Sequence, residues 1–247
     1  IGMMADYAAV NRLGNTLDAT NLQIFSQISG GQAALSGGLY VDPKYADDPK
    51  SLDGSAGFMY QEGTVTYYYA SKCIEYLGLD ESKQNLINTD SSQTRLALIQ
   101  KGGASAVYAN GSEAKYIEEA GWVQVATSQE IGIQTGSYFL STDKYISENT
   151  DTLAKFLQAV DESTQYINDH LDESAEYLAD KLGLKAEDFK ENWKNYSFEP
   201  GFSEEAHLED IEKWGFEHGS FPKDYNVRDF INTDVAKIAF PDNVTIE

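Results

Sequence analysis

The amino-acid sequence predicts an α/β protein. Its 247 residues are 41% hydrophobic, enough to bury a core, and this length fits one large domain or two smaller lobes. Short apolar runs of strand length alternate with longer segments in which apolar residues recur at helical spacing. This alternation is typical of strand–helix units arranged around mainly parallel sheets.

The first part of the chain contains both kinds of element in alternation. The runs with the length and composition of strands are Ile1–Met4, Leu22–Ser26, Ala33–Val41, Ala56–Tyr60, Leu86–Thr89, Ala104–Tyr108, Val123–Thr127 and Tyr138–Ser141. The segments between them that have helical period are Tyr7–Leu13, Thr64–Leu77, Ser92–Lys101 and Ser112–Ala120.

From Asp143 onward the pattern is entirely helical. Apolar residues recur at helical spacing from Leu153 to Leu171, and Thr150 and Asp151 are placed to cap the start of this helix. Further helices are predicted over Glu173–Leu182, Ala186–Asn195 and Glu204–Glu217, the last after the N-cap candidate Ser203. The segment Asp42–Ser51, rich in proline and aspartate, is predicted to be an exposed loop.

The charge balance argues against several classes of partner. Forty acidic residues against eighteen basic ones give a formal net charge of −22, which repels nucleic-acid phosphates and anionic lipid headgroups. The sequence therefore predicts no nucleic-acid partner. The single cysteine, Cys73, cannot form an intrachain disulfide, and its place in an amphipathic segment predicts a packing role.

The sequence offers no recognisable catalytic or cofactor motif. It has no Gly-x-Ser-x-Gly nucleophile elbow and no phosphate-binding glycine motif after a strand. The three histidines, His170, His207 and His218, all lie in the helical tail, where we expect surface or capping roles. We therefore predict a protein that is not an enzyme and holds neither a cofactor nor a metal.

Four segments resemble one family. They are Ile1–Val10, with its strand and Ala-Asp turn, Leu52–Thr64, which ends in Gln-Glu-Gly-Thr, Leu96–Tyr108, and Asp143–Val160, which contains Glu-Asn-Thr-Asp. In order and spacing they are similar to the substrate-binding proteins of nitrate/sulfonate/taurine-type ABC importers. The family usually has an aspartate and an uncharged residue where this chain has Ser105 and Glu62.

The resemblance implies a two-lobe, type II periplasmic-binding-protein-like fold with hinge strands. Lobe 1 is expected to comprise residues 1–42 and 138–247, without the family's N-terminal strand–helix units, and lobe 2 residues 43–137. The implied function is capture of a small polar organic molecule, sulfonate- or taurine-like, between the lobes for an ABC-importer permease. The implied location is extracytoplasmic, in the periplasm or as a cell-surface lipoprotein, with membrane contact only through a lipid anchor or the permease.

The candidate site combines this resemblance with the chemistry of helix starts. Residues 62–66 stand between a strand and a helix, where free backbone N–H groups suit an acidic ligand group and Gly63 permits close approach. The carboxylates of Asp6 and Glu62 would offset a cation, so we expect a ligand with both an acid and an amine, such as a taurine-like aminosulfonate or an aminopyrimidine. The candidate ligand-binding residues are Asp6, Tyr7, Ser29, Gly30, Gly31, Glu62, Gly63, Thr64, Thr66, Tyr67, Tyr108 and Asn110.

Structural roles remain open for the same residues: Gly63 and Thr64 as turn and cap, residues 29–31 as a tight turn, and Tyr108 as core. Two other functions also remain open. One is an enzyme on the same fold, similar to thiamine-pyrimidine synthases or menaquinone-pathway enzymes, although no His or Cys clusters near the expected cleft. The other is a ligand-sensing domain.

Overall fold

The computed structural model describes residues 1–17, 21–29, 37–52, 57–194, 198–202 and 206–246. The chain divides into two compact units, unit 1 (Ile1–Ala34 and Thr135–Glu247) and unit 2 (Leu35–Gln134). The sequence prediction placed residues 1–42 together, whereas the strand at Gly37–Val41 pairs within the sheet of unit 2. The predicted strand start at residues 33–36 and the cap Ser203 lie outside the described residues.

Strands and helices follow the predicted alternation closely. The strands are β1 (Gly2–Ala5), β2 (Leu22–Ser29), β3 (Gly37–Val41), β4 (Gly57–Tyr60), β5 (Asn85–Asn88), β6 (Ala106–Asn110), β7 (Val123–Thr127) and β8 (Ser137–Thr142). The helices are α1 (Asp6–Asn15), α2 (Val65–Tyr76), α3 (Ser92–Gln100), α4 (Gly111–Glu119), α5 (Ser128–Ile131), α6 (Asp143–Asp169), α7 (Leu171–Leu182), α8 (Ala186–Trp193), α9 (Ala206–Glu217) and α10 (Asp234–Ala239). The predicted loop at residues 42–51 contains two short 3₁₀ turns.

The sheet of unit 1 has the order β1-β8-β2, and both of its pairings are antiparallel. Expecting mainly parallel sheets was therefore wrong for this unit, because β8 returns to β2 from far along the chain and local patterns do not encode its direction. The core beneath this sheet contains the stacked rings of Phe25 and Phe139, 5.9 Å apart, and Leu153 and Leu157 of α6. The strand β1 lies at the edge, and the Met3 side chain is 68% exposed.

Helix α6 begins earlier than the sequence predicts. The hydroxyl of Thr142 caps it by accepting the N–H of Tyr145 at 3.2 Å. The expected cap Thr150 instead donates its hydroxyl to the carbonyl of Ile146 at 2.8 Å, one turn back within the helix. A non-helical residue, Asn149, bends the helix at this point, which explains why the apolar periodicity restarts there.

The sheet of unit 2 is mixed, with the order β5-β4-β6-β3-β7. β4 pairs in parallel with β5 and β6, whereas β3 is antiparallel to both β6 and β7. The buried core on this sheet includes Tyr40, Met59, Val107, Ile117 and Trp122. The parallel part of the sheet places the carboxyl ends of β4, β5 and β6 along one edge.

Cys73 is buried on α2, as its apolar surroundings predicted, and burial raises the pKa of its thiol. Over the described ranges, no helix is long and apolar enough to cross a membrane. The same ranges contain no group of three or more His, Cys, Asp or Glu side chains placed to hold a metal ion.

Candidate functional site

A polar pocket of about 620 Å³ lies at the carboxyl edge of the parallel strands in unit 2. Two turns form it, one after β4 and one after β5. Because neighbouring parallel strands end at the same edge, the turns that follow them meet in space. We call this the β4–β5 pocket. Its lining residues are Gln61, Glu62, Gly63, Asn88, Thr89, Asp90 and Thr94.

A reciprocal pair of hydrogen bonds joins the two turns. The backbone N–H of Glu62 donates to Asn88 Oδ1 at 3.0 Å, and Asn88 Nδ2 donates to Glu62 Oε2 at 3.0 Å. Between this pair and α2 the backbone turns through Gly63, whose φ of +74° is a left-handed conformation that favours glycine. The Glu62 carboxylate is thereby held at the wall of the pocket by a neutral amide.

The hydroxyls of Thr64 and Thr66 close the turn that begins α2. Thr64 Oγ1 accepts the N–H of Thr66 at 3.3 Å and donates to the carbonyl of Gln61 at 2.8 Å. Thr66 Oγ1 accepts the N–H of Gln61 at 2.8 Å. Thr64 therefore caps the helix, the structural role left open for it by the sequence, and Thr66 holds the preceding turn. Two of the first N–H groups of α2 are therefore already paired, that of Thr66 with the Thr64 hydroxyl and that of Tyr67 with the Thr64 carbonyl.

The turn after β5 contributes a second carboxylate, Asp90. Hydrogen bonds from the hydroxyls of Thr94 and Ser91 lower the pKa of Asp90. Thr89 donates its hydroxyl to the carbonyl of Tyr60 at 2.8 Å, which fixes this turn against the end of β4. Glu62 and Asp90 together make the pocket acidic.

Sequence reasoning missed the residues of this second turn. The available signal was the predicted strand Leu86–Thr89, since polar residues just after a parallel strand lie at the same edge as those after its neighbour. The residues missed are Asn88, Thr89, Asp90 and Thr94, together with Gln61 of the first turn.

The buried side chain of Arg95 lies next to the pocket, but its positive charge is paired with Glu113. Arg95 is 4% exposed, and its Nη1 donates to Glu113 Oε2 at 3.1 Å. Its Nη2 reaches Gln61 Oε1 at 3.5 Å, at the outer limit of a hydrogen bond. The charge of Arg95 is met mainly by Glu113, so the acidic character of Glu62 and Asp90 dominates.

Tyrosines pack beside the site more than they face it. Tyr67 lies against Tyr60 with ring centroids 4.6 Å apart, next to the β4–α2 turn. Burial, and then the charge of Glu62, raise the pKa of Tyr60. Tyr108 is 4% exposed, packs on Tyr69 at 4.5 Å and lies 3.0 Å from Ser128 Oγ. Tyr108 thus occupies the core of unit 2, the alternative that the sequence left open.

Asn110 lies at the carboxyl end of β6, at the N-cap of α4, and is exposed. It belongs to the same sheet edge but is not among the residues that line the β4–β5 pocket. Ser29 ends β2 in unit 1, where it pairs with Ser137. Gly30 and Gly31 lie outside the described residues.

Asp6 is a buried anchor within unit 1. Its carboxylate accepts the N–H of Tyr7 at 2.6 Å and that of Gly136 at 2.9 Å. His207 Nε2 lies 2.7 Å from the same carboxylate, so the surface or capping role expected for this histidine was wrong. Tyr7 is buried too, with its ring near Trp214 at 6.1 Å. Both carboxylate oxygens of Asp6 have hydrogen-bond partners inside unit 1, so the burial of this residue is explained by a structural role.

The sequence matches a family model described as NMT1/THI5 like over residues 16–174, more than half of the chain. The chain belongs to the NMT1/THI5-like family. No curated protein matches it significantly. This membership, together with the fold comparison that follows, confirms the resemblance seen in the sequence at the level of family and fold.

Solved structures of several proteins share the fold. The periplasmic aliphatic sulphonate-binding protein SsuA from Escherichia coli superposes with a TM-score of 0.77 at 16% identity, covering 94% of this chain and 75% of that protein. A putative periplasmic sulfonate-binding protein from Methylobacillus flagellatus gives 0.73 at 11% identity, covering 97% and 74%. The desulfurization enzyme DszB in complex with biphenyl-2-sulfinic acid gives 0.67 at 12% identity, covering 97% and 84%. The α/β periplasmic-binding fold of the family is therefore present here, and it occurs in binding proteins and in an enzyme alike.

Proposed function

We propose that this protein is the extracytoplasmic solute-binding component of an ABC importer and that it captures a small polar organic molecule. The observation that carries the proposal is the β4–β5 pocket, a built polar site at the carboxyl edge of parallel strands, where ligands bind in open α/β sheets. Family membership and the shared fold of sulfonate-binding proteins support it. The ligand-loaded protein would be recognised by a membrane permease.

The pocket chemistry favours a ligand that carries both a protonated nitrogen and an acidic group. Glu62 and Asp90 offer two carboxylates to a cation, while the partial positive charge at the start of α2, which follows Gly63 and Thr64, favours an anion. A bare anion such as nitrate would meet repulsion from both carboxylates. A taurine-like aminosulfonate satisfies both features, as does any compact zwitterion of similar size.

Calorimetric titration of the purified protein tests this ligand class. The series comprises taurine, ethanesulfonate, which lacks the amine, nitrate, and an aminopyrimidine. We expect the tightest binding from a compound that carries a nitrogen cation. Tightest binding by nitrate or ethanesulfonate would show that the carboxylates do not meet the ligand.

The substitution Glu62→Gln isolates the charge of the pocket. Glutamine keeps the acceptor for Asn88 Nδ2 but removes the negative charge, so binding should weaken by roughly 10- to 100-fold, the range for one charge-assisted hydrogen bond. The matched control is Glu119→Gln, since Glu119 is an exposed carboxylate on α4, and its affinity should not change. Equal affinities of the two variants would remove Glu62 from the site.

An enzyme on the same fold is the second candidate, favoured by the shared fold of DszB. The side chains that line the described pocket are carboxylates, amides and hydroxyls, which suit recognition and include no activated nucleophile. The titration mixtures should therefore contain unchanged ligand when they are analysed by mass spectrometry after prolonged incubation. Reproducible formation of a product would establish the enzymatic alternative.

A further inference from the structure

Helices α6 and α7 meet at a corner and leave a groove on the surface of unit 1. His170, between them, has a non-helical backbone, so the chain changes direction there. The last turns of α6 and the first turns of α7 line a cavity of about 480 Å³, which we call the α6–α7 groove. Residues four apart share a helix face, so each helix supplies a glutamate and a tyrosine to it. The groove residues used below are Glu162, Tyr166, Ile167, Glu173, Tyr177 and Leu178.

The walls and floor of this groove are apolar. Tyr166 and Tyr177 are 52% and 67% exposed. Beneath them, Ile167 and Leu178 are partly buried against the small core formed around Phe189. Exposed apolar surface of this kind, rimmed by polar residues, is typical of interaction sites.

The rim of the groove is acidic. Between residues 161 and 180 the chain has seven Asp and Glu residues and no Lys or Arg. Within the described part of the chain, neither Glu162 nor Glu173 forms an ion pair. Lys181 follows this segment, and its Nζ lies 5.6 Å from the centroid of the Tyr177 ring, so this aromatic face already attracts a cation. The apolar walls and negative rim of the α6–α7 groove are complementary to a ligand that is apolar at its centre and positively charged at its edges.

We propose that the α6–α7 groove docks a basic amphipathic helix of a partner protein. A large apolar side chain of the partner would enter between Tyr166 and Tyr177, and Lys or Arg residues one turn away would meet Glu162 and Glu173. A second copy of this chain does not fit, because each copy carries a formal net charge of −22. An anionic membrane surface is excluded by the same repulsion. This proposal does not depend on the ligand-binding function.

The probe for this surface is a synthetic amphipathic peptide made of Leu and Lys at helical spacing. A peptide of Lys and Gly with equal charge serves as the control, and both are titrated by fluorescence anisotropy at low and high salt. We expect the Leu–Lys peptide to bind and the Lys–Gly peptide to bind much more weakly. Equal binding of the two peptides would show charge attraction without a groove and would overturn the proposal.

Two matched tyrosine variants locate the binding. Tyr177→Ser removes a wall of the groove without changing charge, and we expect it to weaken Leu–Lys peptide binding by roughly tenfold, as for an interface hot spot. Tyr116→Ser, on α4 of unit 2, removes a tyrosine of similar exposure (54%) and should leave affinity unchanged. Glu173→Gln should weaken binding at low salt and reduce its salt dependence. Equal affinities of the two tyrosine variants, or self-association that Tyr177→Ser abolishes, would refute a basic partner as the occupant.

Discussion

Replacing Asp6 with alanine removes the acceptor of three hydrogen bonds at once. The backbone N–H groups of Tyr7 and Gly136 and the Nε2 of His207 all point to this carboxylate, at 2.6 to 2.9 Å. Asp6 is 2% exposed, so water cannot readily replace the lost partner. The substitution therefore tests whether Asp6 holds unit 1 together or instead meets a ligand.

The expected cost follows from these contacts. A buried donor left without a partner costs about 1–3 kcal/mol, and Asp6→Ala removes the acceptor of three such donors. We expect Asp6→Ala to lower the free energy of unfolding by at least about 3 kcal/mol, a large part of the stability of an ordinary domain. Asp6→Asn keeps one acceptor oxygen and should cost less, about 1–3 kcal/mol.

Urea denaturation followed by circular dichroism and tryptophan fluorescence measures these differences. Asp180→Asn provides the control, because Asp180 is an exposed carboxylate on α7 and its replacement should change stability by no more than about 0.5 kcal/mol. Combining Asp6→Asn with His207→Gln should show clear non-additivity, since the two residues share one hydrogen bond. A loss of less than about 1 kcal/mol for Asp6→Ala, together with abolished ligand binding, would refute the anchoring role.

Two further substitutions test the folded core. Glu212 is buried, and its carboxylate accepts the N–H of Val227 at 2.9 Å. Burial raises the pKa of this carboxyl above its usual value of 4.5. The stability that Glu212 contributes is therefore lost as the pH rises from about 4.5 through the raised pKa. Glu212→Gln should therefore raise the free energy of unfolding at neutral pH and reduce its decline above about pH 4.5. Urea titrations that show the same pH dependence for the wild-type protein and the variant would contradict this. In Gly38→Ala the new Cβ would clash with the carbonyl oxygen of Ala126, so we expect the free energy of unfolding measured in urea to fall by at least about 2 kcal/mol. The control Gly2→Ala meets only an ordinary contact at 3.9 Å, with the carbonyl oxygen of Leu140, and should change stability little.

Most elements of the fold could be predicted from local pattern. The strand at Val123–Thr127 was placed residue for residue, and α2 within one residue at each end, because apolar period and turn residues are local signals. Strand direction and partner are not local. β2 pairs with β8 across more than a hundred residues, and β3 lies antiparallel between β6 and β7. Periodicity specifies the side-chain alternation of these strands but not their neighbours.

The residues of the candidate site could likewise be predicted only where neighbours in sequence are also neighbours in space. Glu62 and Gly63 could be proposed because they stand between a strand and a helix in the sequence itself. Asp90 could not be joined to them without knowing that β4 and β5 are parallel neighbours. Conversely, Asp6 follows β1 and Tyr108 ends the predicted strand Ala104–Tyr108, positions at which ligand-binding residues also occur, yet both are buried with partners inside their own units. Their sequence positions were compatible with either role, and only the three-dimensional contacts distinguish the two.

The two-part construction of unit 1 determines the order in which this protein is completed during synthesis. Residues 1–34 leave the ribosome early, yet β2 receives its partner β8 only after all of residues 35–134 have been made. Unit 2 is continuous in sequence, so it can bury its own core during that interval and shorten the loop that β2 and β8 must close. Until then β2 is an apolar strand with an unpaired edge, which makes this interval the stage most exposed to aggregation. We therefore expect the translation speed through unit 2, and chaperones that shield β2, to affect the yield of folded protein.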